Sequence, residues 1–591
     1  MPTVQEAGDG VATDGVATHG VATDPGDAGA STGGRKVAII TLGCGRNEVD
    51  TEQLAGLFHR DGHHLVEDPA DAEVVLVNTC TFIAPAKQES IDTVLAACQL
   101  KEDGVARAVL VVGCMAQRYP HELAEAIPEA DAIVGFDGYP RLPAIAGQVL
   151  DGAVSERVLG VGPAHPGSRS KGSDAAGDRG GEHGADRGQD PGADAAAARF
   201  ALPLLITPTA APAAPAAPVA TPAAAPASVA EPALARAPLG AAAGSAAHEV
   251  TQDDLDRMPA SGPRFPVRHL GAQGDPRAWA YLKIASGCDR VCTFCAIPSF
   301  RGRFRSRPLE ELVEEARWLA AQGVRELVLV SENTTSWGKD LPGGRDLQPA
   351  LLEALSAVEG IERLRLMYLQ PAELTEQLLA AIAELPGVAS YYDLSLQHVS
   401  APVVARMGRS GDHERFQGLV DRARALDAHA VFRSNFILGF PGETEADVAQ
   451  LESFLRTARL DWVGFFAFSV EDGTPSATMP DQVPADRARE RLERVTTLQE
   501  QLADRASRSF VGRDLDVLVD EVEDAGTPAE RTLGRSYREA PDTDGEIELR
   551  ARDGSPAAVP PGRIVTARVV DSGGVDLVAE VDAATAGGTS G

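Results

Sequence analysis

Two sets of three cysteines carry most of the reactive chemistry this sequence can offer. The first is compact: Cys288-Asp-Arg-Val-Cys292-Thr-Phe-Cys295, a CxxxCxxC spacing in a loop after a strand-like run. Thiolates this close can each take one iron of a [4Fe-4S] cubane, which leaves the fourth iron without a protein ligand. An iron in that state can bind a small molecule directly. A structural zinc site wants a fourth ligand nearby, and no histidine lies between residues 271 and 397. The second set is dispersed. Cys44, Cys80 and Cys114 each stand just after a run that reads as a buried strand. In a parallel sheet such strand ends share one edge, so the three thiols are expected to converge and hold a second cluster. The alternative is that they are small apolar core residues. That is the expectation for Cys98, inside the helical stretch Ile91–Leu100.

A three-cysteine cluster with one open iron is what radical S-adenosylmethionine (SAM) chemistry requires. The run Arg433–Thr444 (RSNFILGFPGET) ends a strand and opens a helix. Gly439 and Gly442 permit close backbone approach there, at a helix N-terminus that favours anionic groups. With Glu443 they are expected to form part of a SAM site. Phe294, within the cysteine loop, is expected near the adenine. Glu332 and Asn333, at a strand's end, are expected within reach of SAM; a helix-cap role is the alternative.

These residues need a scaffold, and the chain supplies three blocks of ordered texture. From residue 35 to about 150, the strand-like runs Lys36–Cys44, Ala72–Cys80 and Ala108–Cys114 alternate with helical patterns, the first over Asn47–Arg60. Such alternation predicts a parallel α/β domain. From 275 to 505, strands are expected at Ala280–Ile284, Glu326–Val330, Arg363–Tyr368, Tyr392–Leu396, Val431–Leu438 and Trp462–Phe468. Helices fall between them, for instance Leu309–Gln322 and Ala446–Ala458. About six βα units predict a partial (β/α)6 barrel with ligands at the C-terminal strand ends. From 510 to 583, Leu515–Val522, Glu546–Ala551, Ile564–Asp571 and Val575–Val581 read as short strands between Gly/Pro/Asp turns, a small β-barrel. Residues 1–34 repeat GVAT and read as a disordered tail. Residues 160–262, rich in Gly and Asp and then in Ala and Pro, read as an extended linker. The fold class is therefore α/β multidomain.

Bulk composition narrows the function further. The net charge of −32 suits a basic partner better than a phosphate backbone, which attracts Lys and Arg. Seven cysteines in 591 residues make no disulfide scaffold. The N-terminus carries no apolar signal core, and no run of ~18 apolar residues suggests a membrane span. Reduced thiols in a cytoplasmic protein are the expectation.

Several motifs together resemble the methylthiotransferase family. They are Thr41–Asp50 (TLGCGRNEVD), Asn78–Phe82 (NTCTF), Gly113–Gln117 (GCMAQ), Gly287–Cys295, Pro298–Gly302 (PSFRG), Ser306-Arg307, Ser395–His398 (SLQH) and Gly439–Thr444. The resemblance covers nearly all the chain outside the tail and linker. It implies an N-terminal three-cysteine domain, a central radical-SAM domain and a C-terminal TRAM barrel. It also implies two [4Fe-4S] clusters and SAM, a flavodoxin- or ferredoxin-like electron donor and a separate sulfur donor. SAM would be cleaved at the Cys288/Cys292/Cys295 cluster to give a 5′-deoxyadenosyl radical, and the cluster on Cys44, Cys80 and Cys114 would present the sulfur. One branch of the family thiomethylates an adenosine beside the tRNA anticodon. The other modifies the β-carbon of an aspartate in ribosomal protein S-twelve. Phe466–Thr474 (FAFSVEDGT), Met479–Pro484 (MPDQVP) and Gly534–Gly545 (GRSYREAPDTDG) resemble the second branch. Charge agrees: Arg513–Asp582 holds eight arginines, no lysine and 17 acidic residues, whereas a barrel that grips tRNA should be basic. Arg365–Pro371 (RLMYLQP) departs from the Tyr-Pro form expected in that strand.

Overall fold

The computed structural model describes residues 34–81, 83–102, 104–161, 268–270, 277–344, 348–527 and 529–581. Apart from residues 34, 160 and 161, the tail and linker lie outside the described residues.

The first block is a six-stranded, all-parallel sheet of β1 (Lys36–Thr41), β2 (His64–Leu65), β3 (Val74–Thr79), β4 (Ala108–Val112), β5 (Ala132–Val134) and β6 (Val158–Leu159). Its order is β2-β1-β3-β4-β5-β6, so the sheet continues past residue 150 to Leu159. Every residue of β3 and β4 is buried, because helices cover both faces. Alternate residues of β3 face opposite cores. Val74 and Leu76 meet Leu54 and Phe58 of helix Gly45–Arg60, while Val75 and Val77 meet Val94 and Ala97 of helix Ala84–Glu102. Cys98 sits in the second of these cores, and burial pushes its thiol up to about 11.

The central block contains β7 (Trp279–Lys283), a two-strand arm of β8 (Ala285–Ser286) and β9 (Arg305–Ser306), then β10 (Glu326–Val330), β11 (Arg363–Leu366), β12 (Tyr391–Gln397), β13 (Val431–Leu438) and β14 (Trp462–Ala467). Hydrogen bonding gives two three-stranded parallel sheets, β7-β10-β11 and β12-β13-β14. The bridges Leu364 with Val388 and Leu369 with Leu394 join them. The result is one open, curved wall of six parallel strands, with the helices outside. A 24-residue helix, Ala485–Arg508, closes its outer face against β14.

The last block is a closed barrel of β15 (Asp514–Glu523), β16 (Arg531–Arg535), β17 (Ile547–Ala551), β18 (Ile564–Gly573) and β19 (Asp576–Val581), in the order β15-β16-β17-β19-β18. Strand β16 was not expected from the sequence. The barrel seats on the N-terminal ends of the central strands. Arg365 donates to Glu326 at 2.8 Å, to the Ser536 carbonyl at 3.0 Å and to the Tyr537 carbonyl at 2.7 Å. Arg535 donates to Glu326 at 3.0 Å, and the Trp462 indole to the Arg538 carbonyl at 2.8 Å. Burial opposes ionisation of Glu326, but Arg365, Arg535 and Arg363 outweigh it and hold the carboxyl at about 2. Arg365, in the stretch that departs from the Tyr-Pro form, is thus an anchor for the barrel. With the N-terminal ends capped, the C-terminal strand ends are left for a site.

Candidate functional site

The dispersed cysteines meet because of register. Thr41, Asn78 and Val112 lie on one rung across β1, β3 and β4. Cys44, Cys80 and Cys114 follow that rung by three, two and two residues, so all three leave the same edge. Polar side chains pin the turns. Asn47 donates to the carbonyls of Leu42 (2.8 Å) and Thr79 (3.2 Å), and Asn78 donates to the Asn47 carbonyl (2.9 Å). Ser90 accepts from the Cys80 amide at 3.0 Å and donates back to its carbonyl at 2.9 Å. Gly43 adopts a φ of +96°, and a Cβ there would lie 2.9 Å from the Cys80 Cβ. Only glycine serves both needs. Cys44 stands at the N-terminus of helix Gly45–Arg60.

These thiols line one small cavity of about 40 Å³ with Arg46, Asn47, Thr81, Arg118, Ala296, Ile297, Phe300 and Glu471. The last four come from the central block, and Ala296–Phe300 directly follows Cys295. The compact set therefore backs onto the same space. Cys288, Cys292 and Cys295 are buried with Phe294, Ile297, Val403, Met407, Ile437 and Phe440. Burial pushes the Cys288 thiol up to about 11. It lifts Cys295 further, with the neighbouring Cys292 and Cys288 adding to the effect. Arg409 donates to the Cys292 sulfur at 3.5 Å. Among the described residues, no three His, Cys, Asp or Glu converge on a single metal ion. Cubane thiolates each bind a different iron and need not meet at one point.

Arg301 ties the two sets together, a role the sequence motif alone did not reveal. It donates to the Cys114 sulfur (3.2 Å), Asn47 Oδ1 (2.9 Å) and Asp50 Oδ2 (3.1 Å). Burial raises the Cys114 thiol, and Arg301 works against it. Lys283 also reaches Asp50, at 2.6 Å.

The expected SAM contacts divide. Glu332 lies two residues past β10 and is buried, and neither carboxylate oxygen has a hydrogen-bond partner in the structure. Its nearest cations are Arg46 (3.7 Å) and Arg301 (3.8 Å). Nearby, the strand-end residues Tyr368 and Gln397 hold left-handed backbone, φ 61° and 71°. Such strain in bulky residues gathers at functional sites. Asn333 is occupied internally: its amide donates to Ser336 (2.9 Å) and Glu373 (3.1 Å), and its Oδ1 accepts from Thr335 (2.7 Å). Phe294 packs edge-on against Phe440, ring centroids 6.2 Å apart.

The Gly439–Glu443 turn also packs against the long helix. The Glu443 carboxylate accepts from the Gly439 amide at 3.0 Å and from Arg491 of the long helix at 2.7 Å. A Cβ on Gly439 would meet Ala488 at 2.5 Å. Close approach here serves the helix Ala485–Arg508. Phe440, which the sequence reading passed over, is the residue of this turn that reaches the cysteine loop.

Comparison with known proteins agrees with this architecture. Residues 36–135 match the model of uncharacterized protein family UPF0004, residues 282–455 the radical SAM superfamily and residues 511–581 the TRAM domain. The radical SAM match implies SAM and iron–sulfur chemistry. A relative from Kineococcus radiotolerans, named ribosomal protein uS12 methylthiotransferase RimO, is 45% identical over 92% of this chain and 97% of its own. The protein of that name from Streptomyces coelicolor is 44% identical over 92% of this chain and 96% of its own. At that identity and coverage, the chain belongs to the RimO family of methylthiotransferases.

Proposed function

We propose that this chain is a radical SAM methylthiotransferase that adds a methylthio group to the β-carbon of an aspartate in ribosomal protein uS12. The observation that carries this reading is the closeness of the dispersed cysteines to the segment that follows the compact set. Cys44, Cys80 and Cys114 line a cavity whose facing wall is the segment after Cys295. An unactivated C–H bond is beyond acid–base side chains, so a SAM-binding [4Fe-4S] cluster and a second, sulfur-bearing cluster supply the radical and the sulfur when bound.

Cys288, Cys292 and Cys295 would hold the first cluster, and Cys44, Cys80 and Cys114 the second. The residues fit these groups. The thiols are grouped and shielded, and those raised by burial ionise when a metal takes the proton's place. The Glu332 carboxylate, which accepts no hydrogen bond, suits a cationic part of SAM, with Asn333 fixing the loop beside it and Phe294 packing close to the cysteines. Gly439, Gly442 and Glu443 shape the turn that presses Phe440 onto Phe294. Arg301 holds the first block against the central one and donates to sulfur on the Cys114 side.

The barrel supports a protein substrate. Its sequence is acidic, and two of its eight arginines, Arg535 and Arg538, are buried. An acidic surface complements a basic ribosomal protein. The reductant is of the flavodoxin or ferredoxin class, sulfur comes from a separate donor, and the reaction belongs to the cytoplasm. Among the described residues no helix is long and apolar enough to cross a membrane. The test is an anaerobic assay of reconstituted enzyme with a uS12 peptide and, separately, with an anticodon stem-loop. Thiomethylation of the peptide is expected; thiomethylation of the RNA alone would overturn the reading.

A further inference from the structure

We infer that Arg118, with the Thr81 hydroxyl, is the binding site for the carboxylate of the substrate aspartate. This inference rests on the uS12 reading and names the contact that selects the residue to be modified.

The chemistry sets the requirement. The β-carbon of an aspartate is one bond from its carboxylate carbon. Whatever grips that carboxylate therefore fixes the reacting atom, and positioning of this kind is worth orders of magnitude in rate. The grip must lie beside the thiols that carry the sulfur, and it must be cationic.

The cavity of Cys44, Cys80 and Cys114 meets both conditions at its mouth. Arg118 lines it, with a side chain only 7% exposed. Its Nη1 donates to Glu471 Oε2 at 2.9 Å and its Nη2 to the Asp472 carbonyl at 3.1 Å. The guanidinium is braced on the Tyr119 ring at 4.8 Å. Lys87 donates to that same Glu471 oxygen at 2.6 Å. Two cations thus share one carboxylate, and the cavity lining itself sets two guanidiniums, Arg46 and Arg118, against the single carboxylate of Glu471. Beside them, the Thr81 hydroxyl lines the cavity, is fully buried, and has no hydrogen-bond partner in the structure. A buried hydroxyl without a partner costs free energy; a bound acceptor would remove that cost. A guanidinium fork and a hydroxyl donor are a recognition set for a carboxylate.

The experiment is a two-by-two comparison on the reconstituted, SAM-loaded holoenzyme. Binding of a uS12 peptide with its target Asp, and of the same peptide with Asn there, is measured by fluorescence anisotropy for wild type and Arg118→Gln. Iron content and circular dichroism report whether the variant has folded. A charge-assisted hydrogen bond contributes enough that either single change should weaken binding roughly 10- to 100-fold. The two changes together should cost no more than one of them. Arg118→Lys, which keeps the charge and loses the fork, should fall between wild type and Arg118→Gln, and stands in should the Gln variant fail to fold. Losses that multiply, or Asp-peptide binding untouched by either variant, would overturn the site. Wild-type thiomethylation of the Asp peptide is run in parallel. If it proceeds while the Arg118 variants bind normally, the carboxylate site alone is wrong. If wild type neither binds nor modifies the peptide, the uS12 reading falls and the site falls with it.

Discussion

Glu326 and Glu332 lie at opposite ends of one strand, both fully buried, and their surroundings differ completely. Glu326 opens β10 and meets Arg363, Arg365 and Arg535. Glu332 follows the strand's end and receives no hydrogen bond, with two guanidiniums standing off at 3.7 and 3.8 Å. A buried carboxylate is stable only when paired. The first end is satisfied within the protein and holds the barrel on. The second is left incomplete, at the edge where six cysteines gather, as a site reserved for a ligand would be.

The largest effect should come from breaking the satisfied end. Glu326→Ala leaves buried Arg363 and Arg365 without a carboxylate and Arg535 with Asp520 alone, and removing one partner of a buried ion pair costs about 3–5 kcal/mol. Chemical denaturation should show that loss; a cost below about 1 kcal/mol would mean the network contributes nothing to docking. At the incomplete end the pattern should invert. Glu332→Gln keeps the shape and gives up only the longer ion pairs to Arg46 and Arg301, so it should cost less stability than Glu326→Ala. SAM affinity, read by equilibrium binding to the reconstituted enzyme, should fall roughly 10-fold or more as a charged contact is lost. Unchanged affinity would remove Glu332 from the site.

A pH experiment sharpens the same contrast within the barrel interface. Burial lifts Asp544 to about 6, against the pull of Arg433 and a hydrogen bond from Tyr391. A carboxyl raised this way favours the folded state while protonated. Its contribution is complete below the ordinary aspartate range and is lost as pH climbs through about 6. Glu326 runs the other way: held at about 2, it contributes above the ordinary glutamate range and loses that only as pH falls toward 2. Between pH 4 and 6.5, Asp544→Asn should therefore flatten the decline of stability seen in wild type. Parallel curves would contradict the assignment. The smallest effect is expected at Cys98. Cys98→Ala should cost about 1 kcal/mol through a small cavity and leave iron content unchanged. Loss of iron would move Cys98 from the core to the site.

What was legible in the sequence follows the range of the interactions involved. The runs VVLVNT and AVLVV announce strands buried on both faces, and a cysteine at the end of each made convergence in a parallel sheet a geometric expectation. The compact motif needed no tertiary knowledge at all. The helix Ala485–Arg508 went unread although Leu492, Val495, Leu498 and Leu502 recur at helical spacing against the core, because the rest of its buried stripe, Ala488, Arg491, Gln499, Ala503 and Ser507, is small or polar. Strand β16 (RTLGR) hid for a related reason, since Arg535 is buried by its partners Glu326 and Asp520. Arg301 and Glu471 stood within recognised motifs, but their roles depend on partners more than 180 residues away that no local pattern encodes. The packing of Gly439 and Glu443 against Ala488 and Arg491 lay beyond local pattern for the same reason, since those partners stand some 48 residues away.

The central claim is that the cavity of Cys44, Cys80 and Cys114 is walled by the segment that follows Cys295, and that each cysteine set holds a cluster. Electron paramagnetic resonance of the dithionite-reduced, reconstituted enzyme tests it directly. Cys80→Ala and Cys288→Ala should each leave one isolated paramagnetic centre, and wild type should show a spectrum broadened by coupling between two. A wild-type spectrum equal to the simple sum of the two variants, or an unaltered signal in Cys80→Ala, would contradict the account.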